Sequence, residues 1–190
     1  MQTLLRPAIS LFCLLTLVTG VAYPLCVTLA AQFLFPHQAN GSLIVRDGRV
    51  VGSELIGQSF TSPQYFWGRP SATGGSPYNG AASGGSNLGP SNPALVDAVT
   101  ERVAALRSAS PGESGPVPID LVTASGSGLD PQISIAAAKY QAGRVAHCRG
   151  KEVVEIQAFI EQHVERPAVP GFSEPAVNVL VLNLALDGME

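Results

Sequence analysis

Lysine is nearly missing from this chain: Lys139 and Lys151 are the only two in 190 residues. Neither follows a glycine-rich turn, so no Walker A loop can be built. Cysteine is as sparse. Cys13, Cys26 and Cys148 stand far apart, which excludes a disulfide framework and any Cys-x-x-Cys metal or redox site. His37, His147 and His163 form neither His-Glu-x-x-His nor a pair at i, i+4, and no Gly-x-Ser-x-Gly elbow occurs. His147 and Cys148 are neighbours, which on a helix point about 100° apart and do not form a thiolate–imidazole pair. These gaps predict neither a catalytic residue nor a metal site.

Charge is absent from residues 7–35, which contain no Asp, Glu, Lys, Arg or His. About 20 apolar residues suffice to cross roughly 30 Å of hydrocarbon, so the segment is read as a transmembrane helix. It is too long for a cleaved signal, whose apolar region runs about 7–15 residues. Cys13, Thr16, Gly20, Tyr23 and Val27 recur at spacings of three and four, placing small and hydroxyl groups on one face. In lipid such faces pack against other helices. Pro24 lacks an N–H and crowds the Gly20 carbonyl, freeing that oxygen for a neighbour.

What remains divides as a flank over residues 1–6, the helix over 7–35 and one soluble domain over 36–190, large enough for a core of its own. That domain carries all 14 acidic residues and every basic residue except Arg6. Its net negative charge argues against nucleic acid and anionic membrane surfaces as partners.

Along the soluble part, Leu43 to Val51 around Asp47-Gly48 predicts a β-hairpin with a type I′ turn. Residues 59–70 concentrate Phe60, Tyr65, Phe66 and Trp67, a core plug, an interface or a ligand cluster. Residues 71–93 are uncharged and dense in turn formers, a flexible linker by composition. Asn92 and Pro93 start an amphipathic helix that ends near Ser108. Residues 119–124 read as a short strand. Asp130 as cap and Pro131 at the first turn predict a helix over 132–148, and the glycine-rich turn before it resembles a phosphate site. There Asp130 puts a carboxylate where the anion would sit, and Pro131 removes a donor. A further helix covers about 151–164, Pro167, Pro170 and Gly171 break the chain, and the apolar run 176–186 reads as a buried strand. The expected architecture is α+β: one N-terminal transmembrane helix, then a single small soluble domain with a sheet packed by two or three helices.

Four long motifs carry a resemblance: Phe66-Trp67-Gly68-Arg69-Pro70-Ser71-Ala72, Ser83-Gly-Gly-Ser-Asn-Leu-Gly-Pro-Ser-Asn-Pro93, Asp120-Leu-Val-Thr-Ala-Ser-Gly-Ser-Gly-Leu-Asp-Pro131 and Tyr140-Gln141-x-x-Arg144-Val145-Ala146. In this order they resemble the C subunits of the bacterial Kdp potassium-transporting P-type ATPases, over the whole chain. The resemblance implies an accessory subunit without catalysis or an intrinsic cofactor. Its implied partners are a potassium-translocating channel-like subunit, an ATP-hydrolysing subunit and a small hydrophobic subunit. It further implies a catalytic chaperone that raises the ATP affinity of the hydrolysing subunit, with Gln141 touching the shared nucleotide. Arg144 shares the side of Gln141 at i, i+3. Phe66, Trp67, Gly68, Arg69, Asn87, Gly126, Gly128 and Asp130 stand out within the motifs as structural or interface positions, and Thr16, Gly20, Tyr23 and Pro24 as helix-packing positions in the membrane.

Arg6 ahead of the span favours a cytoplasmic N-terminus in the bacterial inner membrane, with the soluble domain outside. ATP is absent there, which opposes direct contact through Gln141. Two other classes stay open: a membrane-anchored ligand-binding envelope module using Tyr65 to Arg69, and a membrane-tethered enzyme.

Overall fold

The apolar segment is helical up to Leu34. In a computed structural model that describes residues 2–167, 169, 171 and 173–189, α1 (Gln2–Leu17) runs through one π-helical turn (Val18–Ala22) into α2 (Tyr23–Leu34). Leu4–Leu34 is long and apolar enough to cross a membrane, at about 46 Å for 1.5 Å per residue. The Tyr23 N–H bonds the Val18 carbonyl, five residues back. Pro24 explains the wide turn: it cannot donate to Gly20, its ring needs the space, and one added residue opens the ladder. That residue rotates the two halves by about 100° relative to each other. The single face expected from spacing therefore becomes two, with Cys13 and Thr16 before the turn and Tyr23 and Val27 after it.

The chain divides into two compact units between Val51 and Gly52. In the first, Phe35 ends the span and α3 (Pro36–Ala39) adds one turn, tied back by paired side-chain amides of Gln32 and Asn40 at 3.2 and 3.3 Å. The expected hairpin follows as β1 (Leu43–Arg46) and β2 (Arg49–Ser53). Its turn residues Asp47 and Gly48 have φ of 50° and 75°, the signs a type I′ turn requires.

The second unit holds an antiparallel sheet of β3 (Gln132–Ser134), β4 (Val164–Glu165) and β5 (Ala176–Asn178), in the order β3-β5-β4. Ile133 faces Val177 across β3 and β5, and Val164 faces Val177 across β4 and β5. Among the described residues the same unit holds α4 (Pro93–Ala109), α5 (Ile135–Arg149), α6 (Val153–Gln162) and α7 (Val179–Leu186); α5 and α7 pack on the sheet and α6 packs on α5. The class is α+β, as expected. Asn92 caps α4, its Oδ1 accepting the Ala94 N–H at 3.0 Å. Ala137, Ala138, Ala142 and Ala146 make α5 narrow, so that Ile156 and Ile160 of α6 and Leu182 and Leu186 of α7 close on Val145 and Val177 in one core.

Four local readings need correction. Residues 132–134 are a strand rather than the start of a helix. Asp130 closes a turn, its Oδ1 accepting the Gln132 N–H at 3.0 Å, and Ser134 is the true cap, accepting the Ala137 N–H at 3.0 Å. Pairing with β5 outweighed the Asp-Pro signal. The run 176–186 is strand for its first three residues only. Asn178 then caps α7, accepting the Val181 N–H at 3.2 Å, because an unbroken apolar run carries no period to separate strand from helix. Ile119–Leu121 is a 3₁₀ turn rather than a strand. Residues 71–84 are hydrogen-bonded to one another and to residues 127–128, so this part of the glycine-rich stretch is no linker. Pro170, read as a breaker, lies outside the described residues.

Candidate functional site

Residues 62–67 belong to no helix or strand; 62–64 are exposed, but the segment then dips into the core at Phe66, where unpaired backbone groups are costly. Side chains from α5 and α7 supply the missing donors. Asn183 accepts the Phe66 N–H and donates to the Phe66 carbonyl, both at 2.9 Å. Gln141 repeats this one residue on, accepting the Trp67 N–H at 2.8 Å and donating to the Trp67 carbonyl at 3.0 Å. Each side-chain amide thus acts as one rung of a missing strand. Arg144 Nη1 donates to the Pro63 carbonyl and, at 2.9 Å, to the Tyr65 carbonyl. Arg149 Nε takes the Gln64 carbonyl at 3.0 Å, and the Trp67 indole N–H closes back on Ser62 at 3.0 Å.

Gln141 is 0% exposed. Its Oε1 also accepts from Arg144 Nη2 at 2.6 Å, and its Nε2 also donates to Ala137 at 3.3 Å, so both lone pairs and both N–H groups are engaged. Arg144 is 6% exposed, with its guanidinium 4.2 Å from the Trp67 ring centroid. Burial pulls its pKa down to about 10, against the favourable pull of Cys148. The site therefore holds a desolvated cation bonded to neutral oxygens and stacked on an indole, which suits a guanidinium better than an ammonium. At the outer edge Arg149 pairs with Asp187 at 2.7 Å, and Asp187 accepts the Tyr65 O–H at 3.1 Å.

Beyond Trp67 the chain enters a knot centred on Tyr78. This residue sits at φ 56°, a left-handed backbone that costs a bulky side chain about 1–2 kcal/mol. Its N–H donates to Ser71 Oγ at 2.8 Å and its O–H to the Arg69 carbonyl at 2.6 Å. Burial first, then the Asp130 carboxylate, push its pKa up to about 12, with Arg69 opposing. Arg69 pairs with Asp130 at 2.9 Å, and Ser71 Oγ donates to the Gly128 carbonyl at 2.7 Å. Glycine is required three times here, at Gly57, Gly128 and Gly68, where a Cβ would lie 2.7 Å from the Tyr78 hydroxyl. A Cβ on Gly57 would lie 2.4 Å from the Tyr78 ring, and one on Gly128, at φ +68°, would lie 2.6 Å from Thr73 Cγ2 and 2.7 Å from the Gly84 carbonyl.

Phe66, Trp67, Gly68, Arg69, Gly128, Asp130, Gln141 and Arg144 thus form one connected assembly. Gly126 and Asn87 are exposed, Asn87 with a left-handed backbone at φ 53°. The turn at residues 125–132 bonds its own N–H groups: Ser125 Oγ accepts from Gly128, Ser127 Oγ from Leu129 and Asp130 Oδ1 from Gln132. Those donors are taken up internally. No cluster of His, Cys, Asp and Glu able to hold a metal occurs among the described residues. Sequence reasoning missed Asn183, Arg149, Tyr78 and Ser71. A signal for Asn183 was present, as one of only two amides, with Asn178, inside the apolar run 176–186.

A family model described as "KdpC: K+-transporting ATPase, c chain" matches residues 5–188. Among curated relatives, a Potassium-transporting ATPase KdpC subunit of Polaromonas naphthalenivorans (strain CJ2) is 62% identical over 190 residues, covering 100% of this chain and 97% of the relative. One from Methylibium petroleiphilum is 61% identical over 188 residues, covering 99% and 98%. One from Variovorax paradoxus (strain S110) is 60% identical over 187 residues, covering 98% and 97%.

Proposed function

The chain belongs to the KdpC family of potassium-transporting ATPase subunits, and on that premise we propose that it is a non-catalytic accessory subunit that assembles and stabilises an ATP-driven potassium uptake complex. Its partners are the potassium-translocating channel-like subunit and the ATP-hydrolysing subunit, with a small hydrophobic subunit as a further neighbour. The span lies in the bacterial cytoplasmic membrane, with Arg6 inside and the soluble domain outside. The observation that supports this reading is the clamp on residues 62–67. Its central polar groups, Gln141, Arg144 and Asn183, are spent on holding backbone in place rather than presented to a substrate.

ATP bears on this site indirectly. A contact of Gln141 or Arg144 with nucleotide requires the Trp67 segment to leave first, since that segment occupies the amide on both its faces. A chaperone effect on the ATP affinity of the hydrolysing subunit would then travel through contacts between subunits.

Extraction of the tagged full-length chain from potassium-limited cells in mild detergent should bring both large partners with it. The purified chain alone should show no ATP turnover, and a complex lacking it should show a raised KM for ATP. A chain that purifies by itself, or that hydrolyses ATP unaided, overturns the reading.

A further inference from the structure

We propose that the π-helical turn at Val18–Ala22 is a docking site for a transmembrane helix of a partner subunit, one that carries a hydrogen-bond donor, Ser, Thr, Asn or Gln, at the middle of the bilayer. The inference rests on the accessory-subunit reading above.

The turn lies at the midpoint of the span, since Leu4–Leu34 is centred on residue 19. Around it the backbone has more acceptors than donors. Tyr23 gives its N–H to the Val18 carbonyl, and Ala22, as the cap of α2, offers the first carbonyl of the α-helical ladder that follows. The carbonyls of Thr19, Gly20 and Val21 lie between these two. The N–H groups left to serve them would come from positions 24 and 25, and Pro24 has none. Three carbonyls thus face the single N–H of Leu25. In an unbroken α-helix each would be paired; here the proline removes one donor and the wide turn leaves another carbonyl over.

The chain's own side chains do not make up the deficit. A Ser or Thr on a helix bonds the carbonyl three or four residues before it, as Thr19 does to Leu15 at 2.7 Å. The positions that could serve residues 19–21 in this way hold Ala22, Tyr23, Pro24 and Leu25, none of them a Ser or Thr. At this depth water and headgroups are farthest away, and lipid tails carry no donor. A neighbouring helix can bring one, because Ser, Thr, Asn and Gln side chains bond across helix pairs in lipid. Access is open as well. A Cβ on Gly20 would meet nothing within 4 Å, so a second backbone can come close. Small residues alone mark a face; the missing donors decide what that face must meet and at what depth.

A benzophenone side chain in place of Tyr23 tests this in the full-length chain within cells. Tyr23 lies three and four residues beyond Gly20 and Thr19, on the side to which their carbonyls point. The expected product is a crosslink to a transmembrane helix of a partner subunit, with Ser, Thr, Asn or Gln within one turn of the crosslinked residue. Gly20→Leu should lower its yield severalfold by blocking close approach. Replacing the partner's donor by an apolar residue of similar size should lower the complex recovered in detergent about threefold. Beside Pro24→Ala, which restores an N–H, the same replacement should cost little. A crosslink confined to lipid or to a second copy of this chain overturns the proposal. So does a crosslinked helix with no such donor within a turn, or a donor replacement that costs as much beside Pro24→Ala as in the wild type. Failure of the wild-type chain to co-purify with any partner defeats the accessory-subunit reading instead, whereas co-purification without the crosslink defeats this inference alone.

Discussion

Asn183→Leu keeps the side-chain volume but deletes both hydrogen bonds to Phe66, the N–H and the carbonyl held at 2.9 Å. Phe66 is 0% exposed, so neither group gains water in exchange. Each buried group left unsatisfied costs about 1–3 kcal/mol, which puts the expected loss at about 2–6 kcal/mol. That is a large share of the 5–15 kcal/mol typical of a whole domain. Trp67 is the only tryptophan and lies next to Phe66, with Arg144 stacked on its ring, so its fluorescence reports the local event. Urea unfolding of the full-length chain in detergent, followed by Trp67 emission, should show the midpoint fall and the folded-state emission shift to the red. Gln141→Leu should do the same one residue along. The double variant should lose less than the sum of the singles, by about 0.5–3 kcal/mol, because releasing one rung frees the next. A loss below about 1 kcal/mol with unchanged emission would refute the view that this amide replaces a strand.

Gly128→Ala places a Cβ 2.6 Å from Thr73 at a left-handed φ of +68°, so thermal unfolding should come earlier by more than the about 1 kcal/mol that Gly-to-Ala changes usually move; an unchanged Tm would refute the close approach. For Tyr78 the folded phenol holds its proton to about 12 against an ordinary value of about 10, so the unfolded chain ionises first and the stability contributed by Tyr78 is complete below pH 10 and lost between 10 and 12. The stability advantage of the wild type over Tyr78→Phe should therefore shrink across that window, and a constant gap would count against the burial of the phenol. With Cys13 and Cys26 replaced, the exposed Cys148 should react with a membrane-impermeant thiol reagent in intact spheroplasts, whereas labelling only after lysis would place the domain inside.

The readable parts of this chain were those whose cause is local. An uncharged run of helix length, Asp-Gly between apolar triplets and Asn-Pro ahead of an amphipathic stretch each act within a few residues, and each formed the element expected. The misread parts have distant causes. Gln132–Ser134 became a strand because Ala176–Asn178 lies beside it, and Asp130 turned from helix cap to partner of Arg69, 61 residues away. Residues 71–84 looked like a linker because their binding groups, Ser71, Thr73, Asn79 and Ser83, are the same side chains that fill flexible loops. Only their closure onto residues 127–128 separates the two cases. Phe66, Trp67 and Arg69 stood out in sequence as aromatic and cationic residues, but Asn183, which holds Phe66 from 117 residues on, did not.

The same distance explains why a glutamine and an asparagine occupy the centre of the fold. A segment that must stay irregular cannot pair with a strand, yet where it dips into the core at Phe66 its backbone groups still need partners. A side-chain amide offers the donor and acceptor of a peptide group without imposing a strand's direction, so Gln141 and Asn183 hold Trp67 and Phe66 in place from two different helices. Aspartate or glutamate there would accept but not donate, leaving a carbonyl unpaired and burying a charge. Backbone fixed in this way keeps the Trp67 indole at the wall of a cleft shared with Arg69 and Arg102 without an edge strand that would invite pairing with other chains. Two amides are enough to make the loop stiff while leaving it no strand edge to pair.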